Sequence, residues 1–222
     1  MIEELNIRYG GTEEWKRQVA LASVNPILYL HEYQFAPGEI AGWKNDDDLE
    51  PPFGKDRLKK YRREYTPLRF PVPKRLCVGI GAYKTEHDGE LYMCAILDRD
   101  KGTVLSYSIG VYRSPELVSK ALELFFDLYK TEGNNNPTSC VSLLSSRNSL
   151  YRTALYGEVI SRFPVVQEMT QKGVRGGVSA VSTLYSQLMR QKGSTVFSYW
   201  QDGIDWLGLH LMMYNLKRSE KN

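Results

Sequence analysis

The chain has 222 residues, of which 42% are hydrophobic and 25% charged, and its net charge is +3. This composition suits one domain with an extension, or two small domains, and excludes a chain that is mainly disordered. No run approaches the roughly 18 apolar residues of a membrane span, and the first residues lack a signal-peptide pattern. We therefore expect a cytoplasmic protein without membrane contact, whose mild basicity permits nucleic-acid binding without requiring it.

The first seventy residues differ from the rest in their charge pattern. An acidic run at 46–50 is followed by Pro51-Pro52 and then by a strongly basic stretch at 55–63. Three further prolines precede the first apolar strand pattern; they are Pro67, Pro71 and Pro73. We predict a partly helical N-terminal region with a linker over 1–70 and a core over 71–222.

Three short apolar segments open the core. They span 76–83, 90–97 and 103–109, and the turns between them contain Gly89 and the segment 98–102. Apolar segments at such short spacing, separated by turn residues, are typical of neighbouring antiparallel strands. The sequence therefore predicts a three-stranded meander.

Helical and strand patterns alternate after the meander. Ser114 followed by Pro115 predicts a helix start, because serine is a preferred cap and proline fits the first helical position. Later patterns predict, in chain order, a strand at 140–144, a helix to about Arg162, a strand from Pro164, and helices at 179–191 and 203–218. The order β-β-β-α-β-α-β-α-α predicts an α/β fold of the ribonuclease H-like class, a mixed five-stranded sheet with helices on both faces.

Five short segments carry a family resemblance. In chain order they are Tyr83 with GELYM at 89–93 and Leu97-Asp98, LSSRNSLY at 144–151, EMTQKG at 168–173, STLYSQLM at 182–189 and YNLKR at 214–218. Through these segments, residues 76–218 resemble the integrase core of bacterial insertion-sequence transposases, which share their fold with retroviral integrases. The resemblance implies a DNA-processing ancestry.

The resemblance also locates three positions at which the family has metal-binding acids. Here those positions hold Ile80, Ser146 and Ser182, and 35 residues separate the two serines, the interval characteristic of the family. The family's phosphoryl chemistry uses two divalent cations, which need carboxylate oxygens. No acid occurs between Glu132 and Glu158, or between Glu168 and Asp202, so a shifted alignment does not restore the triad.

The resemblance therefore implies a catalytically inactive homologue with no catalytic residue, no metal ligand and no cofactor. The alternative is an active DNA-processing transposase, competent for DNA integration, whose acidic triad is displaced. A zinc or disulfide framework is not expected from three widely spaced cysteines, Cys77, Cys94 and Cys140, which we predict to be small buried side chains. We interpret Gly79-Ile80-Gly81 as strand residues rather than a nucleotide loop, because a third glycine and a following helix are missing.

The stretch 133–201 is basic, with seven arginines and lysines against Glu158 and Glu168. Four of these cations lie closest to the former active-site motifs: Arg147, Lys172, Arg175 and Arg190. In active relatives this face meets DNA, so the resemblance implies DNA binding through these residues without cutting. A solvated basic surface is the alternative. Other candidate partners are a second copy of the chain and a related transposase. The strongly apolar last helix favours a second copy, unless the helix is simply part of the core.

Overall fold

The computed structural model describes residues 73–129, 140–171 and 178–219. Their elements are β1 (Arg75–Lys84), β2 (Glu90–Asp98), β3 (Val104–Gly110), α1 (Pro115–Leu128), β4 (Val141–Ser145), α2 (Ala154–Ile160), β5 (Val165–Met169), α3 (Ser179–Lys192) and α4 (Trp200–Ser219). Each predicted core element is present, with ends shifted by a few residues. The predicted N-terminal region over 1–70 lies outside the described residues. Within the described ranges, no helix combines the length and apolarity that a membrane crossing needs.

The helix predicted to run to Arg162 is divided into two. A 3-10 turn spans Ser149–Arg152, and α2 begins only after Thr153. The hydroxyl of Thr153 accepts a hydrogen bond from the backbone N–H of Tyr156 at 3.2 Å. Threonine at this position competes with helix continuation and starts a new helix instead, which explains the break.

The sheet has the strand order β3-β2-β1-β4-β5. β1 pairs antiparallel with β2, and β2 pairs antiparallel with β3. On its other edge β1 pairs in parallel with β4, which pairs in parallel with β5. This mixed five-stranded arrangement, with helices on both faces, is the ribonuclease H-like fold, so the predicted fold class is confirmed.

One face of β1 lacks side chains where α3 packs on it. A Cβ atom added to Gly79 would lie 2.1 Å from Cγ1 of Val181, and one added to Gly81 would lie 2.2 Å from Cε1 of Tyr185. Neither distance is compatible with a side chain, so these positions need glycine for close helix packing. The Tyr185 hydroxyl also donates to the carbonyl oxygens of Met93 at 2.7 Å and Gly79 at 3.1 Å. The interpretation of these glycines as strand residues is confirmed.

The opposite face of the sheet carries α1. The hydroxyls of Ser106 and Ser108 on β3 donate to the carbonyl oxygens of Ala121 and Leu117, at 2.7 and 2.5 Å. Ser108 lies opposite Cys94, and Cys94 lies opposite Ile80. Since directly paired residues project from the same face, the side chain of Ile80 lies on the α1 face, not on the α3 face.

The last helix is attached to the β2–β3 turn by its own motif. Asn215 accepts from the backbone N–H of Val104 at 2.8 Å and donates to its carbonyl oxygen at 2.7 Å. The Tyr214 hydroxyl donates to the carbonyl oxygen of Gly102 at 3.0 Å, and Arg218 donates to that of Lys101 at 3.1 Å. The segment YNLKR thus closes this end of the sheet.

Most of α4 is buried or half-buried. Asp202 and Lys217 are the exposed positions among the helix residues whose side chains the structure describes. Burial around the whole helix favours the interpretation of its apolar sequence as core over that of a subunit interface.

The predicted burial of the cysteines is correct for Cys77 and Cys94 and wrong for Cys140, which is exposed. Cys140 lies one residue before β4 begins, so it does not share the burial of that central strand.

Candidate functional site

A notch opens where β1 and β4 separate. The two strands pair only over Arg75–Cys77 of β1, and β4 ends at Ser145 while β1 continues to Lys84. Beyond the strand, Thr85 forms a bridge to Phe197. Within the part of the chain that the structure describes, the intervening β1 edge faces no strand partner. Ligand sites of open α/β sheets form at the carboxyl ends of strands where neighbours diverge, so this notch is the candidate site.

Three elements carry the positions that the resemblance assigns to acids; Ile80 lies on the α1 face of β1, whereas Ser182 lies on α3, which packs on the opposite face. Ile80 lies on β1 inside the notch, partly buried and packed against the hydrophobic core. Ser146 directly follows β4, is half-buried, and accepts a hydrogen bond from the backbone N–H of Asn148 at 3.4 Å. Ser182 is exposed on the first turns of α3, next to the valine that contacts Gly79.

These side chains are a poor donor set for a divalent cation. Magnesium and manganese bind hard oxygen ligands, and carboxylates supply both the ligand atoms and the compensating charge. Isoleucine has no ligand atom, and a serine hydroxyl is a neutral, weak ligand. The three residues therefore do not fit the metal pair that the family resemblance implies.

The acids closest to the first motif serve local structure. Oδ1 of Asp98 accepts from the backbone N–H groups of Asp100 at 2.8 Å and Lys101 at 3.0 Å, which fixes the β2–β3 turn. Oδ2 of Asp88 accepts from the N–H of Trp200 at 2.8 Å, at the start of α4. These carboxylates stabilise a turn and a helix end.

On β5, one carboxylate lies near the end of β4. Glu168 is opposite Leu144 in the strand register, and its Oε2 is 3.1 Å from a guanidinium nitrogen of Arg99. Across the described ranges, no group of three or more His, Cys, Asp or Glu side chains is arranged to hold a metal ion.

The predicted basic residues occupy different places. Arg147 is exposed directly beside Ser146, and its Nε donates to the carbonyl oxygen of Thr170 at 2.7 Å, which ties the ends of β4 and β5 together. Arg190 is exposed in the last turn of α3, about 12 Å along the helix from Ser182. Lys172 and Arg175 lie outside the described residues.

The structure adds residues that sequence analysis missed. Tyr92 lies opposite both Ala82 on β1 and Gly110 on β3, so it shares the face of Ile80. Tyr112 and Arg113 follow the end of β3 closely; Tyr112 is 57% exposed and Arg113 is also exposed. The sequence signal was a Tyr-Arg pair just after a predicted strand, but the place of that strand beside β2 follows only from the strand order.

Arg113 lies within electrostatic reach of two tyrosines. The hydrogen bond to Glu90 raises the pKa of Tyr92, and the positive charge of Arg113 opposes that rise. Burial raises the pKa of Tyr151 in the 3-10 turn, which Arg113 again opposes.

The buried tyrosine of α3 is a hydrogen-bond donor and not a nucleophile. Burial raises the pKa of Tyr185 well above its ordinary value, and the neighbouring Tyr83 adds to the rise. At neutral pH the phenol is therefore protonated, as its hydrogen bonds to two backbone carbonyls require.

No protein-family model and no curated protein matches this sequence. Solved structures do match. The catalytic core domain of BIV integrase is 7% identical with a TM-score of 0.41, over 68% of this chain and 98% of that one. The catalytic domain of Mos1 mariner transposase is 11% identical with a TM-score of 0.47, over 84% and 97%.

The Mos1 mariner paired end complex with Mn is also 11% identical, with a TM-score of 0.47, over 85% of this chain and 64% of that one. At such identities the likeness concerns the arrangement of the chain alone. In fold, the protein is similar to integrase and transposase catalytic domains, the class to which its motifs pointed.

Proposed function

We propose that this chain is a catalytically inactive homologue of integrase-like transposase cores that binds DNA, or a partner protein, without cutting DNA. One observation carries the proposal: the positions at which the resemblance requires three acids hold Ile80, Ser146 and Ser182. None of the three side chains carries a negative charge.

Loss of charge at these positions removes the means of catalysis. In-line displacement at phosphorus by this class of enzyme depends on two cations that activate the attacking oxygen and stabilise the leaving oxygen. Ile80 packs into the hydrophobic core, and the carboxylate nearest to Ser146 along the sheet, Glu168, is paired with Arg99. A carboxylate already held by an arginine is less available to a metal ion.

Positive charge supports retained contact with DNA. Arg147 uses one N–H donor for Thr170, so its guanidinium is held in place while further donors face outward from an exposed side chain. Loss of three acids also makes a surface more attractive to phosphate. Lys172, Arg175 and Arg190 are proposed as further contacts on the basis of the motif resemblance.

A strand-transfer assay tests the proposed inactivity. The full chain is incubated with short duplex DNA ends and Mg²⁺ or Mn²⁺, and we expect neither cleavage nor joining above a protein-free control. Specific joined products would overturn the proposal and support the alternative of a displaced acidic triad. A Glu168→Gln variant would then show whether Glu168 belongs to that triad.

A gel-shift series against salt tests the DNA-binding part. Binding that depends on phosphate contacts weakens steeply as salt rises, and Arg147→Ala should weaken it and lower the slope by about one phosphate contact. Lys101→Ala, which removes one exposed cation from the β2–β3 turn at the other end of the sheet, is the charge-matched control. Flat, negligible binding by the full chain would remove DNA as the partner and leave a second copy, a related transposase or another protein.

A further inference from the structure

The strand register places a row of residues across the α1 face at the notch. Ala82, Tyr92 and Gly110 lie directly opposite one another on β1, β2 and β3. Ile80 is two residues before Ala82, so it is a diagonal neighbour of Tyr92 on the same face. Paired strands are about 4.8 Å apart, so the path from β1 to the end of β3 spans about 10 Å, and the end of β4 lies beyond the notch.

Exposed groups stand at both ends of this path. Arg147 lies at the β4 end, where Thr170 fixes its guanidinium. Tyr112 and Arg113 lie at the β3 end, and more than half of the Tyr112 side chain is in contact with solvent. Ala82 is exposed between them and Tyr92 is half-buried, so the middle of the path is a low surface with an aromatic floor.

The charges along the path differ between its ends, which are positive, and its middle, which carries carboxylates. The two arginines at its ends favour phosphates. Glu90, in contrast, accepts a hydrogen bond from the Tyr92 hydroxyl, and Glu116 is exposed at the start of α1. Carboxylates repel phosphate but tolerate a base, so a strand on this path is favoured when bases, not phosphates, face the middle.

We propose that this face binds a single DNA strand, with a base stacked on Tyr112 and phosphates held by Arg113 and Arg147, in preference to intact duplex. The inference rests on the proposed DNA-binding function and narrows its ligand to an unpaired strand. A duplex hides the faces of its bases in the stack, whereas an unpaired base can stack on an exposed tyrosine whatever its identity.

Fluorescence anisotropy with the full chain tests this. The probes are a labelled 12-nucleotide thymidine strand and a blunt 12-base-pair duplex at the same ionic strength. We expect tighter binding of the single strand, weakened on the order of tenfold by Tyr112→Ala and retained by Tyr112→Phe, because the ring does the stacking. Arg113→Gln should weaken binding and reduce its salt dependence.

Tyr199→Ala is the matched control, because Tyr199 is a similarly exposed tyrosine, at 54%. It lies directly before α4, and its ring is 4.9 Å from that of His87. Unchanged affinity in Tyr112→Ala, equal losses in Tyr112→Ala and Tyr199→Ala, or a preference for duplex would each overturn the inference while leaving DNA binding intact. If neither probe binds at low salt, the DNA-binding part of the proposed function fails together with it.

Discussion

The two ends of β1 are built in opposite ways. At the amino end, the β2–β3 turn is fixed by Asp98 and sealed by Tyr214, Asn215 and Arg218, so the polar groups there have buried, specific partners. At the carboxyl end, β4 stops early and Ser182, Arg147 and Arg113 face solvent. The first end is held by specific polar contacts, whereas the exposed side chains of the second end can change their chemistry at little cost in stability.

The largest effect is expected from breaking the sealed end. Asn215→Leu keeps the number of side-chain heavy atoms but leaves the buried N–H and carbonyl groups of Val104 without partners. Each buried unsatisfied group costs about 1–3 kcal/mol, so the free energy of unfolding should fall by about 2–6 kcal/mol. Urea denaturation measures it. The exposed neighbour change Lys217→Leu should stay within about 0.5 kcal/mol of the original chain.

The carboxyl end of β1 should tolerate substitutions that introduce metal-binding acids. The triple variant Ile80→Asp, Ser146→Asp, Ser182→Glu restores the acids that the resemblance requires. If the three positions are equivalent to the family triad, Mn²⁺ at about a hundredfold excess over Kd stabilises this variant by about 2.7 kcal/mol. Thermal unfolding with Mn²⁺, compared with metal-free buffer and with the original chain, measures the gain. A metal response equal in both chains would contradict the alignment.

A smaller effect should follow from a change at the contact between β1 and α3. Gly79→Ala places a Cβ atom against Val181, and overpacking of this kind costs about 1–3 kcal/mol. Chemical denaturation measures the loss. Adding Val181→Ala to Gly79→Ala relieves the clash, so the double variant should recover part of the lost stability. No recovery would show that the glycine is needed for a reason other than space.

The order of the elements was predictable because its signals are local. Ser114 and Pro115 marked a helix start, and Gly89 marked a turn, where it adopts a φ of 86°. The triad positions were assigned from motif spacing alone and stay a prediction. Long-range contacts were not predictable: Arg147 contacts Thr170, and Tyr92 shares a face with Ile80, only because of strand pairings that no local pattern specifies.

The exposure of Cys140 was missed for a related reason. An apolar run indicates a strand but does not fix its first residue, and one position decides whether a side chain lies in the sheet or before it. A shift of the strand register by one residue would likewise have placed Ile80 on the opposite face of the sheet.

The connection between α3 and α4 ties together parts that are far apart in sequence. The backbone N–H groups of Glu86 and His87 donate to the carbonyl oxygens of Phe197 and Ser198, at 2.9 and 3.1 Å, and Asp88 caps the helix that begins at Trp200. The β1–β2 hairpin, the α3–α4 connection at Phe197–Ser198 and the start of α4 therefore form one cooperative unit. Their amide hydrogens should exchange with solvent in a single opening event, so the start of α4 cannot loosen without releasing the hairpin as well.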